Sequence, residues 1–405
     1  MKLTIEEQDM LAGAQGKATR KAMEILVALG TIYGAEQMVP VASVQIAGVS
    51  YDNLGQPGLQ FLEEMAAGAG RARVLTTLNP AGMDVEAWEE LGISPDFAAK
   101  QRQVLEAFAQ MNVLTTCTCT PYLAGNLPRF GEHLAWAESS AVCYANSVIG
   151  ARTNREGGPS ALAAALTGRT PAYGFHLDAE RQPTLCIEVT ADLESHGTWG
   201  ESLAFGTLGK AIGEHMAATG KAGVPYIRGV RQASQEGLKA FCASLATFGG
   251  AALFHVQNIT PEANSVSVPS ETIQVGEAEL EQAFNSLNDA TPEEVDFVSL
   301  GCPHLTIREI ARIAELLQGR QVHKEFWITT ARPTRRLADR MGYTRIIEAS
   351  GAKFAADTCC VVAPIQGRFK ALATDSAKAC FYAFAKNGFK TLFRSFDEVV
   401  QEALR

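Results

Sequence analysis

The chain has 405 residues, of which 47% are hydrophobic and 20% are charged, and its formal net charge is −9. A chain of this length exceeds the size at which one hydrophobic core usually keeps growing, so we expect two or more lobes. The acidic balance argues against a protein that binds nucleic acid or an anionic membrane, although it allows a small anionic substrate held by local positive charge.

The amino terminus and the cysteine content predict a cytoplasmic protein. Glu6 and Glu7 stand where a signal peptide would carry a basic and then an apolar run. No stretch reaches the roughly 18 uninterrupted apolar residues that a membrane-spanning helix needs, so we expect no membrane partner. The nine cysteines lack Cys-x-x-Cys spacing, which predicts reduced thiols, some of them able to bind a metal, rather than a disulfide framework or a zinc ribbon.

Strand and helix patterns alternate along the chain. In chain order, the predicted helices cover residues 4–29, 58–67, 94–111, 201–217, 234–246, 277–287 and 306–318. The predicted strands cover residues 39–49, 72–78, 185–189, 251–256, 295–300 and 325–330. This alternation predicts an α/β fold with mostly parallel sheets flanked by helices. The least periodic segments, 169–182 and 260–276, are the candidate boundaries between lobes.

The stretch from 136 to 160 begins as a predicted helix and ends in a loop that suits anions. Asn154, Arg155 and Glu156 lead directly into Gly157-Gly158-Pro159-Ser160, and Pro159 suits the first turn of the next helix. The glycines leave backbone N–H groups accessible, and a helix amino terminus beside an arginine favours a carboxylate or a phosphate. The alternative interpretation is an arginine in an ordinary polar turn.

The segment Gly301-Cys302-Pro303-His304 lies between a predicted strand and a predicted helix. Thr306 and Glu309 form a capping box for that helix, so Cys302 is expected in the crevice outside the carboxyl end of the strand. His304 is a candidate for binding the substrate or for donating a proton. The alternative is a small buried thiol packed beside a turn proline.

Two further segments carry cysteines, namely Thr116-Cys117-Thr118-Cys119-Thr120-Pro121-Tyr122 and Asp357-Thr358-Cys359-Cys360. Residues i and i+2 of an extended chain share a face, so Cys117 and Cys119 are both able to face a cavity. Cys359 and Cys360 are adjacent and point to opposite sides, which leaves one for a metal and one for packing. The cysteine pattern alone does not fix a set of ligands.

Taken together, the stretch from Glu138 to Ser160 and the Gly-Cys-Pro-His and Asp-Thr-Cys segments resemble the large, catalytic part of the aconitase X family, over nearly the whole chain. Members of this family are iron-dependent dehydratases distantly related to aconitase. The resemblance implies an aconitase-like, multi-lobed α/β catalytic region over residues 1–405. It also implies that Cys119, Cys302 and Cys359 hold iron or an iron–sulfur cluster with an open position for a leaving hydroxyl.

By the same resemblance, several loops would hold the substrate and move its proton. Arg155 with Asn154 would bind the anion, and His304 or Glu156 would assist proton transfer. The segment 51–58 resembles a substrate-facing loop of the family, although its composition also suits a plain turn. The predicted substrate-binding set is Tyr51, Asn53, Ser139, Ser140, Asn154, Arg155 and Lys210.

Lys210 lies in a glycine-rich segment that departs from a nucleotide-binding loop. Only two residues separate Gly206 from Gly209, and Ala211 follows the lysine, so the spacing of a triphosphate site is excluded. The remaining alternatives are a lysine that neutralises a substrate carboxylate and a helix that packs through small residues.

The predicted reaction is the removal of water from a small hydroxy acid. Family members act on cis-3-hydroxy-L-proline or on 5-phosphomevalonate. We favour hydroxyproline, because a phosphorylated substrate should require a second basic cluster that the sequence does not reveal. The family also has a smaller swivelling domain that supplies a catalytic serine, and this chain ends at Arg405 without room for it, so we expect a separate small subunit. The rival interpretation is a non-catalytic anion-binding or regulatory homologue.

Overall fold

The fold is taken from a computed structural model, which describes residues 1–193, 200–218, 220 and 223–405. Strands of this part of the chain form parallel sheets of three, four and five strands and one antiparallel pair. The sheets are flanked by helices, which confirms the predicted α/β class with mostly parallel sheets. Within the same residues, no helix is both long enough and apolar enough to cross a membrane.

The amino-terminal region comprises α1 (Ile5–Ala12), α2 (Lys17–Ile32), β1 (Met38–Pro40), β2 (Ser43–Ile46), α3 (Tyr51–Ala67), β3 (Leu75–Leu78), α4 (Pro95–Gln110), β4 (Leu134–Trp136), α5 (Ser139–Tyr144), α6 (Gly158–Thr167) and β5 (Arg169–Pro171). The strands β3, β2 and β4 pair in that order as a parallel sheet, whereas β1 and β5 pair antiparallel. The predicted capping box at Thr4 is confirmed. The helix predicted over 4–29 is divided into α1 and α2, because Gly13 and Gly16 adopt positive φ angles of 88° and 98°.

The middle region comprises β6 (Leu185–Val189), α7 (Gly200–Ala218), β7 (Pro225–Arg228), α8 (Gln235–Phe248), β8 (His255–Val256), β9 (Thr272–Val275) and α9 (Glu277–Asn285). Its parallel sheet has the order β8-β7-β6-β9. The strand predicted over 251–256 contributes only its last two residues to the sheet. The strands β7 and β9 were not predicted, because four-residue strands give too short a pattern.

The carboxyl-terminal region comprises β10 (Phe297–Leu305), α10 (Ile307–Leu317), β11 (Glu325–Thr330), α11 (Arg332–Met341), α12 (Tyr343–Ala349), β12 (Lys353–Ala356), β13 (Ala371–Thr374), α13 (Ala377–Tyr382), β14 (Lys390–Phe393) and α14 (Phe396–Ala403). Its parallel sheet has the order β12-β11-β10-β13-β14. The predicted capping box of Thr306 and Glu309 starts α10.

Apolar side chains join the three regions as well as filling each of them. Trp88 of the amino-terminal region packs in one cluster with Phe297 and Trp327 of the carboxyl-terminal sheet. Tyr122 and Trp136 belong to the cluster that also contains the core of the middle region. Burial of such large side chains is the main favourable term in folding, so the regions pack as one body around the space between them.

The carboxyl ends of strands from two sheets border that space. Ala47, Asn79 and Ala137 each follow a strand of the amino-terminal sheet, while Cys359 and Lys378 follow β12 and β13. All five line one pocket. Open α/β sheets bind ligands outside the carboxyl ends of their strands, so this topology singles out the pocket as the candidate site.

Candidate functional site

The candidate site, which we call the central pocket, is a cavity of about 240 Å³ between the amino- and carboxyl-terminal regions. It brings together the predicted site residues Asn53, Cys119, Ser139, Arg155, Cys302 and Cys359. Residues separated by more than 300 positions in the chain thus meet at one place. The structure adds lining side chains that the sequence did not single out, namely Glu138, Lys378, Tyr382 and Lys386.

The three thiols that line the pocket come from three separate segments. Cys119 lies in the loop after α4, Cys302 lies in the second half of β10, and Cys359 lies in the loop after β12. Burial raises the pKa of the Cys119 thiol, and the nearby Glu138, Cys359 and Cys302 raise it further. Burial and the proximity of Cys359 likewise raise the pKa of Cys302 to about 12. All three thiols line the same pocket, and this proximity is the cause of their mutual effects.

Neighbouring cysteines of the same segments do not line the pocket. Cys117 is fully buried in the core of the amino-terminal region, and Cys360 packs in the cluster around Trp88 and Phe297. One cysteine of each pair therefore faces the pocket while the other packs in a core. For Cys359 and Cys360 this division agrees with the opposite directions expected for adjacent residues. Cys117 does not share a face with Cys119 as an extended chain would allow, because its positive φ of 45° takes the backbone out of the extended conformation.

The donor chemistry of the pocket fits iron. Among the described residues, no group of three or more His, Cys, Asp or Glu side chains is arranged to hold a metal ion. However, thiolates are the usual protein ligands of iron–sulfur clusters, and three thiols border this one pocket. The backbone N–H of His304 donates to Cys119 Sγ at 3.2 Å, and hydrogen bonds to sulfur of this kind tune such centres. Cys119, Cys302 and Cys359 are the residues that would hold the group.

Three cationic side chains, Arg155, Lys378 and Lys386, also line the pocket. The guanidinium of Arg155 is exposed and makes no hydrogen bond or ion pair to any residue of the described part of the chain. Lys386 Nζ donates to the Val362 carbonyl at 3.2 Å and lies 3.5 Å from the carboxylate of Asp52. Several cations and one unengaged arginine are groups that favour an anionic ligand.

Lys378 forms a buried ion pair with Glu138 at the amino terminus of α5. Its Nζ lies 2.5 Å from Glu138 Oε1, and both side chains are largely buried. Burial alone raises the pKa of Glu138, but Lys378 and hydrogen bonds from Ser140 and the Ala141 N–H outweigh burial and hold that pKa below its usual value. Glu138 is therefore a carboxylate that caps α5 and fixes Lys378 at the pocket.

The spacing of the two lysines in the sequence is a signal for their common placement. Lys378, Tyr382 and Lys386 are spaced by four residues and so share one face of the helix and its continuation. Charges with this spacing usually form a solvated face of a helix. Only the tertiary structure distinguishes such a face from one that lines a pocket.

The predicted anion site at the start of α6 lies beside the pocket. Gly158 begins the helix, and a Cβ added to Gly158 would lie 2.8 Å from the carbonyl oxygen of Ala47, which lines the pocket. A glycine is needed for this close approach. The N–H of Gly157 already donates to Ser160 Oγ at 3.0 Å, so that amide is engaged within the turn.

Two predicted residues of the same loop serve to hold it in place. Glu156 is buried and accepts hydrogen bonds from Ser160 at 2.6 Å and from Thr170 at 3.2 Å, and burial raises its pKa. The Asn154 amide accepts from the Phe175 N–H and donates to the Tyr173 carbonyl, each at 2.9 Å. Neither side chain lines the central pocket, so their geometry favours support of the Arg155 loop over the predicted contacts with substrate.

His304, the other predicted proton donor, is fully buried and does not line the pocket. Both of its ring nitrogens are engaged, Nδ1 with the Thr118 hydroxyl at 3.0 Å and Nε2 with the Thr358 carbonyl at 2.9 Å. Burial lowers its pKa to about 4, so the ring is neutral near pH 7. This arrangement disagrees with the predicted proton transfer, because neither nitrogen is left to meet a substrate.

The remaining predicted substrate residues also lie outside the pocket lining. Ser140 donates to Glu138 at 2.6 Å, and the Tyr51 hydroxyl lies 3.4 Å from Gln56. Lys210 is buried, pairs with Glu214 and lies over the Phe248 ring. The alternative, a helix that packs through small residues, fits this segment. A Cβ on Gly209 would meet the backbone of α8, and a Cβ on Gly213 would meet the backbone at the end of α8 and just after it.

Comparison with known proteins identifies the family. Models of the aconitase X first, second and third domains match residues 1–179, 183–285 and 295–405. The phosphomevalonate dehydratase large subunit of Methanocaldococcus jannaschii is 46% identical over 99% of this chain and 100% of its own length. The cis-3-hydroxy-L-proline dehydratase of Pseudomonas aeruginosa is 34% identical over 98% of this chain but only 69% of its own length.

A solved structure gives the same result for the whole fold. The crystal structure of the holo-form of Thermococcus kodakaraensis aconitase X superposes with a TM-score of 0.91, at 42% sequence identity, and both chains are covered completely. The predicted family and the predicted dehydratase class are therefore confirmed. With matching domains along nearly its whole length, the chain belongs to the aconitase X family of dehydratases.

Proposed function

We propose that the chain is the large subunit of an iron-dependent 5-phosphomevalonate dehydratase. The observation that carries this proposal is the group of cations in the central pocket, Arg155, Lys378 and Lys386, beside three thiols. The sequence alone favoured cis-3-hydroxy-L-proline, because no second basic cluster was evident. Lys378 and Lys386 supply such a cluster, and this reverses the preference.

The lengths of the relatives support the same substrate. The chain spans the full length of the phosphomevalonate dehydratase large subunit of M. jannaschii, but about two thirds of the hydroxyproline dehydratase of P. aeruginosa. 5-Phosphomevalonate is anionic at both ends, with a carboxylate and a phosphate, whereas hydroxyproline has one carboxylate. The three cations and the lining carboxylate Glu138 leave the pocket with two net positive charges. This balance matches the doubly anionic molecule better, since charge-assisted hydrogen bonds to phosphate and carboxylate are among the strongest available.

Different side chains of the pocket bind the substrate and the cofactor. Arg155 binds one anionic end through its unengaged guanidinium, while Lys378, held by Glu138, presents a fixed charge deeper in the pocket. Cys119, Cys302 and Cys359 would hold an iron ion or an iron–sulfur cluster. When bound, that group supplies Lewis-acid assistance to the departure of the hydroxyl.

The described residues that line the pocket offer no unengaged carboxylate to act as the base. Glu138 is the one carboxylate among the described lining residues, and it already accepts from Lys378, Ser140 and Ala141. Elimination of water requires removal of a proton next to the carboxylate. We therefore propose that a small swivelling subunit supplies the base, in accord with the name of the M. jannaschii relative as a large subunit.

The proposed function is tested by comparing substrates. The chain, purified anaerobically with a small subunit and supplied with iron, is assayed for water elimination from 5-phosphomevalonate, from mevalonate and from cis-3-hydroxy-L-proline. We expect kcat/KM for 5-phosphomevalonate to exceed that for mevalonate about 10²–10⁴-fold, because two charge-assisted hydrogen bonds contribute roughly 1.5–3 kcal/mol each. Faster turnover of hydroxyproline would contradict the proposal. No turnover of any substrate, with tight phosphate binding, would favour the non-catalytic rival.

A conservative change at Arg155 tests how the anion is held. Arg155→Lys keeps the charge but removes the planar fork that binds two oxygens at once, so we expect kcat/KM to fall at least about tenfold. The matched control is Arg20→Lys, which changes an exposed arginine paired with Glu24 and should leave kinetics unchanged. Equal kinetics for wild type and Arg155→Lys would assign Arg155 to a structural role.

A further inference from the structure

We propose that His304 is a positioning residue that fixes the mutual placement of the three thiol-bearing loops. The inference rests on the proposed function in one respect, namely that Cys119, Cys302 and Cys359 act together. His304 lies two residues after Cys302, and its hydrogen bonds reach the segments of both other cysteines. It does not touch the pocket, so its effect on chemistry would pass through the thiols.

The ring of His304 links two of the loops directly. Nε2 lies 2.9 Å from the Thr358 carbonyl, which can only accept, so Nε2 carries the hydrogen. In the neutral ring Nδ1 then accepts from the Thr118 hydroxyl at 3.0 Å. Thr118 precedes Cys119, and Thr358 precedes Cys359. One ring with a single tautomer thus spans the neighbours of two cysteines.

The backbone of His304 adds two further connections. Its N–H donates to Cys119 Sγ at 3.2 Å. Its carbonyl accepts from Lys239 Nζ at 3.1 Å, and Lys239 lies on α8 of the middle region. Segments from all three regions therefore meet at one residue.

The contact with α8 is itself held rigidly. Lys239 is buried and its Nζ also lies 2.6 Å from Glu309 Oε2, while Glu309 accepts from the Thr306 N–H at 2.7 Å. Glu236, also on α8, accepts from the Thr306 hydroxyl at 3.0 Å. The end of the Cys302 segment is thus anchored to α8 on one side and to the other two cysteine loops on the other side.

Burial makes these hydrogen bonds hard to replace. His304, Thr118 and Thr358 have no exposed surface, so water cannot take the place of a lost partner without an opening of the structure. Removal of the ring would leave the Thr358 carbonyl unsatisfied and would leave the Thr118 hydroxyl with bonds only to Thr120 of its own loop. No bond through this ring would then join the two loops, which favours their separation. Loosened loops should expose their thiols more often.

The test measures the thiols in the metal-free protein. His304→Leu removes both ring hydrogen bonds, whereas His304→Gln retains an amide that can reach one of the two partners. The labelling rate of each cysteine by iodoacetamide is followed by peptide mass spectrometry. We expect His304→Leu to raise the rates of Cys119 and Cys359 at least about tenfold, with a smaller rise for His304→Gln.

Two controls separate positioning from general stability. Cys186 is fully buried in the middle region and should keep its labelling rate in both His304 variants. His255→Leu removes another buried histidine, whose Nε2 bonds the Arg181 carbonyl at 2.9 Å, and should leave Cys119 and Cys359 unchanged. Unchanged rates in both His304 variants would overturn the proposal. A rise at Cys186 equal to that at Cys119 would also overturn it, since this would show a merely global loss of stability.

Iron loading gives a second readout that distinguishes this inference from the proposed function. After anaerobic reconstitution, we expect iron content and visible absorbance to fall in His304→Leu and to be partly retained in His304→Gln. If wild-type protein binds no iron, the cofactor assignment fails, while the labelling rates still decide the role of His304. Full iron content and a wild-type spectrum in His304→Leu would contradict the positioning role.

Discussion

Replacement of Lys378 by methionine is expected to lower the free energy of unfolding by about 3–5 kcal/mol and dehydratase activity at least about a hundredfold. The stability effect follows from burial. Lys378 Nζ lies 2.5 Å from Glu138 Oε1, and only 11% and 5% of the two side chains is exposed. Removal of one partner leaves the other as an uncompensated buried charge, which is the costly case for an ion pair.

The loss of activity has a separate physical cause. Lys378 lines the central pocket, and its positive charge opposes the rise in the pKa of the Cys302 and Cys359 thiols. A fixed cation at this place favours both a bound anion and the thiolate forms that a metal requires. Methionine has a similar length but no charge, so the variant removes the electrostatic contribution and changes the packing little.

A double variant separates the two effects. Lys378→Met combined with Glu138→Gln removes both charges, so most of the lost stability should return while activity stays low. Urea unfolding followed by circular dichroism measures the first quantity, and kcat/KM of the assembled enzyme measures the second. The control is Lys390→Met, which breaks an exposed pair with Glu294 and should cost less than about 1 kcal/mol. Recovery of both stability and activity in the double variant would assign Lys378 to folding alone.

The features that the sequence predicted well are local ones. The capping boxes at Thr4 and Thr306 are present, because their hydrogen bonds join residues only three positions apart. The strand before Cys302 and the helix after it follow from short patterns of the same kind. The placement of Cys119, Cys302 and Cys359 around one pocket came from the family resemblance rather than from spacing.

The features that were missed depend on distant contacts. His304 bonds to Thr118 across 186 positions and to Thr358 across 54, and no local pattern encodes either contact. A buried histidine with both nitrogens engaged and a catalytic histidine look the same in a sequence. Likewise, Lys378 and Lys386 become pocket residues only because α13 and the helical turn that follows it pack beside the cysteine loops.

Absence of the small subunit is expected to cause a large loss of activity. The isolated chain is expected to be at least about 10²–10⁴-fold less active than the chain assembled with its partner, which is the range that one positioned acid–base group contributes. The only carboxylate lining the described pocket, Glu138, is already engaged, and the exposed Arg155 shows that one side of the pocket faces solvent. A partner that covers this side would supply the base and exclude water.

Two exposed apolar side chains close in sequence to a pocket residue are candidate contacts for such a partner. Phe381 and Phe384 flank the lining residue Tyr382 along the chain and are 42% and 73% exposed. Large apolar groups of this kind are typical of stable subunit interfaces. Phe384→Glu should therefore weaken assembly, whereas the control Ile5→Glu, at a residue that is 80% exposed on α1, should not.

Reconstitution from separately purified subunits tests whether activity requires the small subunit. Activity is measured as the small subunit is titrated into a fixed amount of iron-loaded chain, and assembly is followed in parallel by light scattering. We expect activity to rise with the fraction of chain assembled and to reach saturation, with Phe384→Glu requiring more partner for the same activity. Full activity of the 405-residue chain alone would contradict the two-subunit enzyme. Assembly without activity on any hydroxy acid would instead support a regulatory complex, because binding would then persist without the chemistry.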